Sequence, residues 1–179
     1  MNTLVIVAHP HLSQSRINRH FINAIKHNNI QTYNLYDKYP DEKIDIFEEQ
    51  HWLEQADRIV LQFPFYWYSA PSLLKKWIDA VMTHGWAFGN GGNALKDKPL
   101  ILAVSTGGPK DAYSPEGYNK YPINDLLLPF QAMANLTKMN YQTPFVVSGV
   151  RTLTDEELYY ETGRYLELLT SELGPEKVT

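Results

Sequence analysis

Apolar positions follow two alternating rhythms along this chain: short unbroken runs and longer stretches at helical spacing. Thr3 to Ala8 is an apolar, β-branched run, the signature of a strand buried on both faces. A polar loop, His9 to Ser15, leads into Ile17, Phe21, Ile22 and Ile25, which mark one face of a helix. Ile30 to Leu35 alternates as an edge strand would, and helical spacing returns at Ile46, Phe47, Leu53 and Ala56. Arg58 to Phe63 predicts a third strand, ended by Pro64. Pro71 opens a helix through Leu73, Leu74, Trp77, Ile78 and Val81, with Lys75, Lys76 and Asp79 on its wet side. Pro99 to Ser105 predicts strand four, and a Gly/Pro-rich loop then runs to about Pro122. An apolar helix is expected from Asn124 to about Met133, and strand five near Tyr141 to Val147. The last helix starts at Thr154, where Thr-Asp-Glu-Glu157 is a capping box, and carries Leu158, Tyr165, Leu166, Leu169 and Leu173.

A strand followed by a helix, repeated five times, predicts a doubly wound α/β fold with a parallel sheet and helices on both faces. There is no linker, repeat or low-complexity tract, so residues 1–179 read as a single domain. A chain of that size buries roughly 70% of the surface its unfolded form exposes. The net charge of −4 gives no basic footprint for nucleic acid, and the absence of cysteine excludes disulfides, thiolate nucleophiles and zinc–sulfur sites. Met1-Asn2-Thr3 lacks the basic start of a signal peptide, and no apolar run reaches the ~20 residues of a membrane helix. A cytoplasmic protein is the expectation. Aromatic residues are abundant, at 13% with 12 tyrosines and 4 tryptophans, which suits a core, a flat ligand or a subunit interface.

In such a sheet, ligands bind outside the carboxyl ends of the strands. Three loops there are unlike plain connectors. The first delivers Ser13, Ser15 and Asn18 to a helix N-terminus with Arg16 beside them, an arrangement that suits an anion such as phosphate or merely caps the helix. The second, Phe63-Pro-Phe-Tyr-Trp-Tyr68, holds four consecutive aromatics, which cannot all face one core because neighbours in an extended chain point opposite ways. A planar tricyclic ligand would supply the missing partner. The third, Ser105-Thr-Gly-Gly108, lets backbone approach a ligand closely, and its amides could bond a pyrimidine-type edge. Other motifs fail: there is no P-loop and no Gly-x-Ser-x-Gly elbow, and Gly89-Asn-Gly91-Gly-Asn-Ala94 precedes a strand instead of following one. No carboxylate cluster accompanies His9 and His11, so no metal site is expected.

Taken together, these loops resemble the flavodoxin-like NAD(P)H:quinone oxidoreductase family, and within it the short bacterial members. Those members include ancillary subunits of glutathione-gated potassium efflux systems and general-stress flavoproteins. The resemblance rests on Ala8-His-Pro10 with Ser15-Arg-x-Asn18, on Phe63-Pro-x-x-Trp-Tyr68 with Pro71-x-x-Leu-Lys-x-Trp77, on Gly85-Trp-Ala-Phe-Gly89 and on Ser105-Thr-Gly-Gly108. It implies a five-stranded sheet of order 2-1-3-4-5 and a flavin that takes hydride from NAD(P)H and passes it to a quinone-like acceptor. His9, Ser15, Arg16, Ile17 and Asn18 would hold the flavin phosphate and ribityl chain. Pro64, Phe65, Tyr66, Trp67 and Tyr68 would pack along the ring system, and Ser105, Thr106, Gly107 and Gly108 would bond its pyrimidine edge. Tyr113 would sit over the ring near the substrate. Where the larger animal quinone reductases carry a histidine that assists with charge on the reduced flavin, this chain has Asn119, leaving a neutral amide or Tyr118 to replace it. The resemblance also implies a homodimer and raises the prospect of a potassium efflux membrane partner. The short chain favours FMN by economy, although FAD-binding relatives share the same loops, and NADH against NADPH is left open. An electron-carrier flavodoxin is the alternative without a substrate of its own.

Overall fold

In the computed structural model, which describes residues 1–28 and 30–171, the chain forms a parallel sheet sandwiched between helices. The strands are β1 (Thr3–Val7), β2 (Gln31–Asn34), β3 (Arg58–Pro64), β4 (Pro99–Ser105), β5 (Asn140–Tyr141) and β6 (Phe145–Val147). Their order is β2-β1-β3-β4, with β5 and β6 in turn filling the fifth position beside β4, so the order 2-1-3-4-5 holds. The expected fifth strand is broken at Pro144, which has no N–H for the ladder, after the Gln142 backbone N–H has donated to the Leu100 carbonyl at 2.9 Å.

Alternate residues of β1 divide the core. Leu4, Ile6 and Ala8 pack with Leu53, Leu73, Trp77 and Phe130, whereas Val5 and Val7 pack with Phe21, Ile25, Tyr165 and Leu169. The first face is therefore covered by α3 (Ile46–Gln55), α4 (Ser72–Val81) and α6 (Leu128–Leu136), the second by α1 (Arg16–His27) and α7 (Asp155–Thr170). Two short helices, α2 (Leu35–Lys38) and α5 (Ile123–Leu126), complete the set. The single helix expected from Asn124 to Met133 is split at Leu127, with Pro129 starting α6 without an N–H.

Helix α7 begins where its capping box predicts: the Thr154 hydroxyl accepts from the Glu157 amide at 3.2 Å, and the Glu157 carboxylate accepts from the Thr154 amide at 2.7 Å. Its far end is held by Arg58, which is fully buried without a carboxylate partner among the described residues. The Arg58 guanidinium instead donates to the carbonyls of Leu168, Leu169 and Ser171 at 2.8–3.0 Å, placing positive charge at the negative end of the helix. Leu173 lies outside the described residues. Phe47, expected on the buried face of α3, is 84% exposed, and no described helix is long and apolar enough to cross a membrane.

Candidate functional site

A cleft of about 580 Å³ opens along the carboxyl edge of the sheet, where the strands give way to their loops. After β1 it is lined by His9, Ser15, Arg16, Ile17 and Asn18, and after β3 by Pro64, Phe65, Tyr66, Trp67 and Tyr68. The loop after β4 contributes Ser105, Gly107, Gly108, Tyr113, Tyr118 and Asn119, and the loop after β6 contributes Val150 and Arg151. Among the site residues read from the sequence, Ser13 is off the lining, and so is Thr106. It is fully buried beneath the loop, its amide donating to Val147 and its hydroxyl to the Gly108 carbonyl at 2.9 Å each.

The floor of the cleft is a buried polar relay. The Tyr165 hydroxyl donates to Gln62 at 3.0 Å, and the Gln62 amide donates to Asn18 Oδ1 at 3.1 Å. Asn18 Nδ2 in turn donates to Ser15 Oγ at 3.3 Å and Ser105 Oγ at 3.1 Å, while the Asn18 backbone N–H also reaches Ser15 Oγ at 3.2 Å. Both serine oxygens are acceptors in this relay, so each keeps its own O–H for an acceptor in the cleft. Ser15 is the N-cap of α1. The amides of Arg16 and Ile17 have no acceptor inside the helix, and the helix dipole favours negative charge beside them. Ser15 therefore caps the helix, and the donors beside it suit an anionic group.

His9 is fixed by a reciprocal pair with Asn34: the His9 N–H donates to Asn34 Oδ1 at 3.0 Å, and Asn34 Nδ2 donates to the His9 carbonyl at 3.1 Å. The His11 amide donates to His9 Nδ1 at 3.1 Å, which puts the proton of the neutral ring on Nε2. Burial, reinforced by His11, holds the His9 pKa below its ordinary 6.5. The folded chain therefore binds fewer protons here than the unfolded one, and stability should fall as pH drops below about 6.5. Urea unfolding at pH 7.5 and 5.5 (conditions at about one unit either side) checks this. The stability lost between the two pH values should be smaller in His9→Gln than in the parent protein, and an equal loss would contradict the reading.

Arg16 lines the cleft beside Ser15. Its guanidinium is in contact with the Asp155 carboxylate and donates to the Leu153 carbonyl at 2.7 Å, tying α1 to the start of α7. That contact is solvent-exposed and contributes at most about 1 kcal/mol.

The aromatic loop folds as a tight turn. Tyr66 and Ser69 face each other as an antiparallel bridge, and the Ser69 amide donates to the Tyr66 carbonyl at 3.0 Å. The central residues, Trp67 and Tyr68, have φ values of 48° and 61°, the left-handed pair of a type I′ turn. Asn-Gly is the usual occupant, and each L-residue with a side chain costs roughly 1–2 kcal/mol there. The result is outward display: Trp67 is 92% exposed, while Phe65 alone among the four aromatics is half-buried. Phe65 is anchored by its amide to the Ser105 carbonyl at 2.8 Å, and its ring meets Tyr113 edge-on at 6.0 Å. Across the mouth, the Tyr68 hydroxyl donates to Asn119 Oδ1 at 3.0 Å.

Gly108 is required by close approach. A Cβ there would lie 2.7 Å from the Tyr118 hydroxyl and 3.3 Å from the Tyr113 ring. At Gly107 a Cβ would meet only the Arg151 side chain, at 3.6 Å and beyond. Neither glycine donates its N–H to a group among the described residues, so two backbone donors line this wall. Burial pushes the Tyr113 hydroxyl above its ordinary pKa, so it stays protonated at neutral pH.

Four contributors escaped the sequence reading. Gln62 could have been found as the one amide inside the otherwise apolar run after Arg58, whereas Tyr165 looked like ordinary core. Val150 and Arg151 follow the fifth strand position, also a strand carboxyl end, in a loop with no motif to mark it.

Comparison with known proteins agrees with this architecture. A family model described as flavodoxin-like fold matches residues 1–168. General stress protein 14 of Bacillus subtilis is 48% identical over 94% of this chain and 97% of its own length. The ancillary protein KefG of the glutathione-regulated potassium-efflux system of Pectobacterium carotovorum is 41% identical, covering 97% of this chain and 96% of its own. Among solved structures, general stress protein 14 from Treponema denticola, in complex with FMN, superposes with a TM-score of 0.89 at 37% identity, covering 94% of this chain and 98% of that one. An NADPH-quinone reductase from P. pentosaceus gives 0.89 at 38%, covering 97% and 100%. With nearly its whole length matched and its sheet in the order 2-1-3-4-5, the chain belongs to the flavodoxin-like fold family.

Proposed function

We propose that this protein is an NAD(P)H oxidoreductase that holds FMN in the cleft and reduces quinone-like acceptors. One observation carries the reading: a single cleft brings together anion-ready hydroxyls and amides, a displayed aromatic turn and a pair of free glycine amides. Its volume of about 580 Å³ falls in the ordinary range for ligand pockets. The FMN-bound and quinone-reducing relatives support the same assignment.

The residues present fit FMN. The Ser15 and Ser105 hydroxyls and the first amides of α1 would hold its phosphate and ribityl chain, with Asn18 orienting both serines. The Phe65–Tyr68 turn would flank the ring system, and the Gly107 and Gly108 amides would bond its pyrimidine edge. When bound, FMN supplies reversible hydride chemistry between a nicotinamide and an acceptor. The chain's own work is to bind, orient and exclude water. The Tyr113 and Tyr118 hydroxyls converge on Gly108 and offer hydroxyl groups to the substrate side, and Tyr68 steadies the neutral Asn119 amide. FAD would use the same loops, and the need for NAD(P)H is consistent with a cytoplasmic setting.

A steady-state assay of NADPH or NADH oxidation, with and without a soluble benzoquinone after FMN loading, tests the reading. Quinone-dependent turnover is expected; oxidation no faster than with free FMN would contradict it. The likeness to KefG supports a second role beside this one, as an ancillary subunit of a potassium efflux protein. A homodimer is part of the proposal, supported by an apolar groove between α4 and α6, lined by Ala70, Ile78, Phe130 and Met133, with Leu128 and Leu136 exposed nearby.

A further inference from the structure

Three basic side chains line the cleft, and they differ in what already holds them. His9 accepts the His11 amide on Nδ1. Arg16 is bound to Asp155 and the Leu153 carbonyl. Arg151 has no carboxylate or carbonyl partner among the described residues, so it is the guanidinium left available to a ligand.

The backbone that carries Arg151 is held on both sides. The Gly149 amide donates to the Gly108 carbonyl at 2.8 Å, the Val150 amide to the Thr106 carbonyl at 3.1 Å, and the Thr152 amide closes the turn on Gly149 at 3.0 Å. The loop after β6 is thereby stapled to the loop after β4. A Cβ built on Gly107 would lie 3.6 Å from Arg151 Nε and 3.9 Å from its Cζ, so the guanidinium lies beside Gly107, the first of the two glycines whose amides lack acceptors among the described residues. Two backbone donors and one cation on the same wall favour negative charge on the edge of a flat ligand.

That charge has a source if the wall faces a flavin, and the inference rests on that reading. A hydride carries two electrons and one proton from the nicotinamide, which leaves oxidised, and the neutral ring system gains one net negative charge. We propose that Arg151 compensates this charge at the pyrimidine edge, a task for which Asn119 is neutral and Arg16 is already paired with Asp155. Arg151 is a charge-compensating residue that favours the reduced cofactor over the oxidised one.

The test uses the full chain loaded with FMN, comparing the parent protein with Arg151→Met and Arg151→Lys. Affinity for oxidised FMN is read from fluorescence quenching, and the midpoint potential from anaerobic dithionite titration against a reference dye. Arg151 is exposed, so folding should be unaffected. In Arg151→Met, the preference for reduced over oxidised FMN should fall about tenfold, a shift of about 30 mV to more negative potential for a two-electron couple. Arg151→Lys should recover most of that shift, because it keeps the charge. A potential unchanged in Arg151→Met would overturn the role, as would equal weakening of oxidised and reduced binding. If the parent protein retains no FMN, the flavin reading itself fails; if it retains FMN and the potential does not move, only the role of Arg151 fails.

Discussion

Glu49→Ala should lower the melting temperature by about 10 °C, the consequence of losing roughly 3–5 kcal/mol in a chain of this size. The Glu49 side chain is completely buried in the first core layer. Its carboxylate accepts from the Tyr33 hydroxyl at 2.5 Å and from the Tyr39 hydroxyl, Trp77 Nε1 and Lys38 Nζ at 2.7 Å each. Those donors come from β2, α2 and the residue after it, and α4. Lys38 also lies over the Tyr33 and Tyr39 rings, at 4.7 and 5.3 Å from their centroids. Removing the carboxylate strands the buried Trp77 and Tyr39 donors, Trp77 above all because it is fully buried, whereas the partly exposed Lys38 keeps Glu48 at 3.0 Å. Glu49→Gln should fall between the two, since it keeps one acceptor but aims an NH₂ at donors. Thermal unfolding of the three proteins measures this; an alanine variant melting within about 2 °C of the parent, the effect of a minor surface change, would show that the cluster contributes little.

Trp67→Asn combined with Tyr68→Gly should make the protein more stable and a poorer flavin binder. Both residues have left-handed φ in a type I′ turn that Asn-Gly adopts without strain. Relieving roughly 1 kcal/mol at each should raise the melting temperature by about 4–8 °C. The same change removes two displayed rings and the Tyr68 bond to Asn119. FMN affinity should drop about tenfold or more, on the scale of one to two aromatic contacts. Such opposite movements are what backbone strain kept for a site predicts. A variant that binds FMN as well as the parent would remove the aromatic turn from the site, whatever its stability.

How far the sequence reaches can be judged residue by residue. Runs such as Leu4 to Ala8 and Leu100 to Val104 are apolar enough to announce buried strands, and the order of elements then leaves little choice of sheet. Local exceptions came from single groups: Pro144 interrupting the fifth strand, and Pro129 restarting a helix after Leu127. The helical pattern of α3 placed Phe47 inside and left Glu49 unremarked, because apolar periodicity carries no information about donors arriving from three other segments. The site loops were legible because strand carboxyl ends are where such folds bind ligands. Their conformation was not. Trp-Tyr is not a sequence that signals a I′ turn, and nothing in the spacing of Arg16 and Arg151 tells which one Asp155 will occupy. The buried donors of the floor, Gln62 and Tyr165, likewise gain meaning only once α7 is packed against the sheet.

The proposed function requires that this cleft take a flavin that a nicotinamide can reduce. The measurement is a visible absorption spectrum of the purified protein after incubation with FMN and desalting, followed by anaerobic addition of NADPH or NADH and then a quinone. A retained pair of flavin bands that bleach with the nicotinamide and return with the quinone is the predicted result. A colourless protein after desalting, or retained bands that neither nicotinamide bleaches, would contradict it.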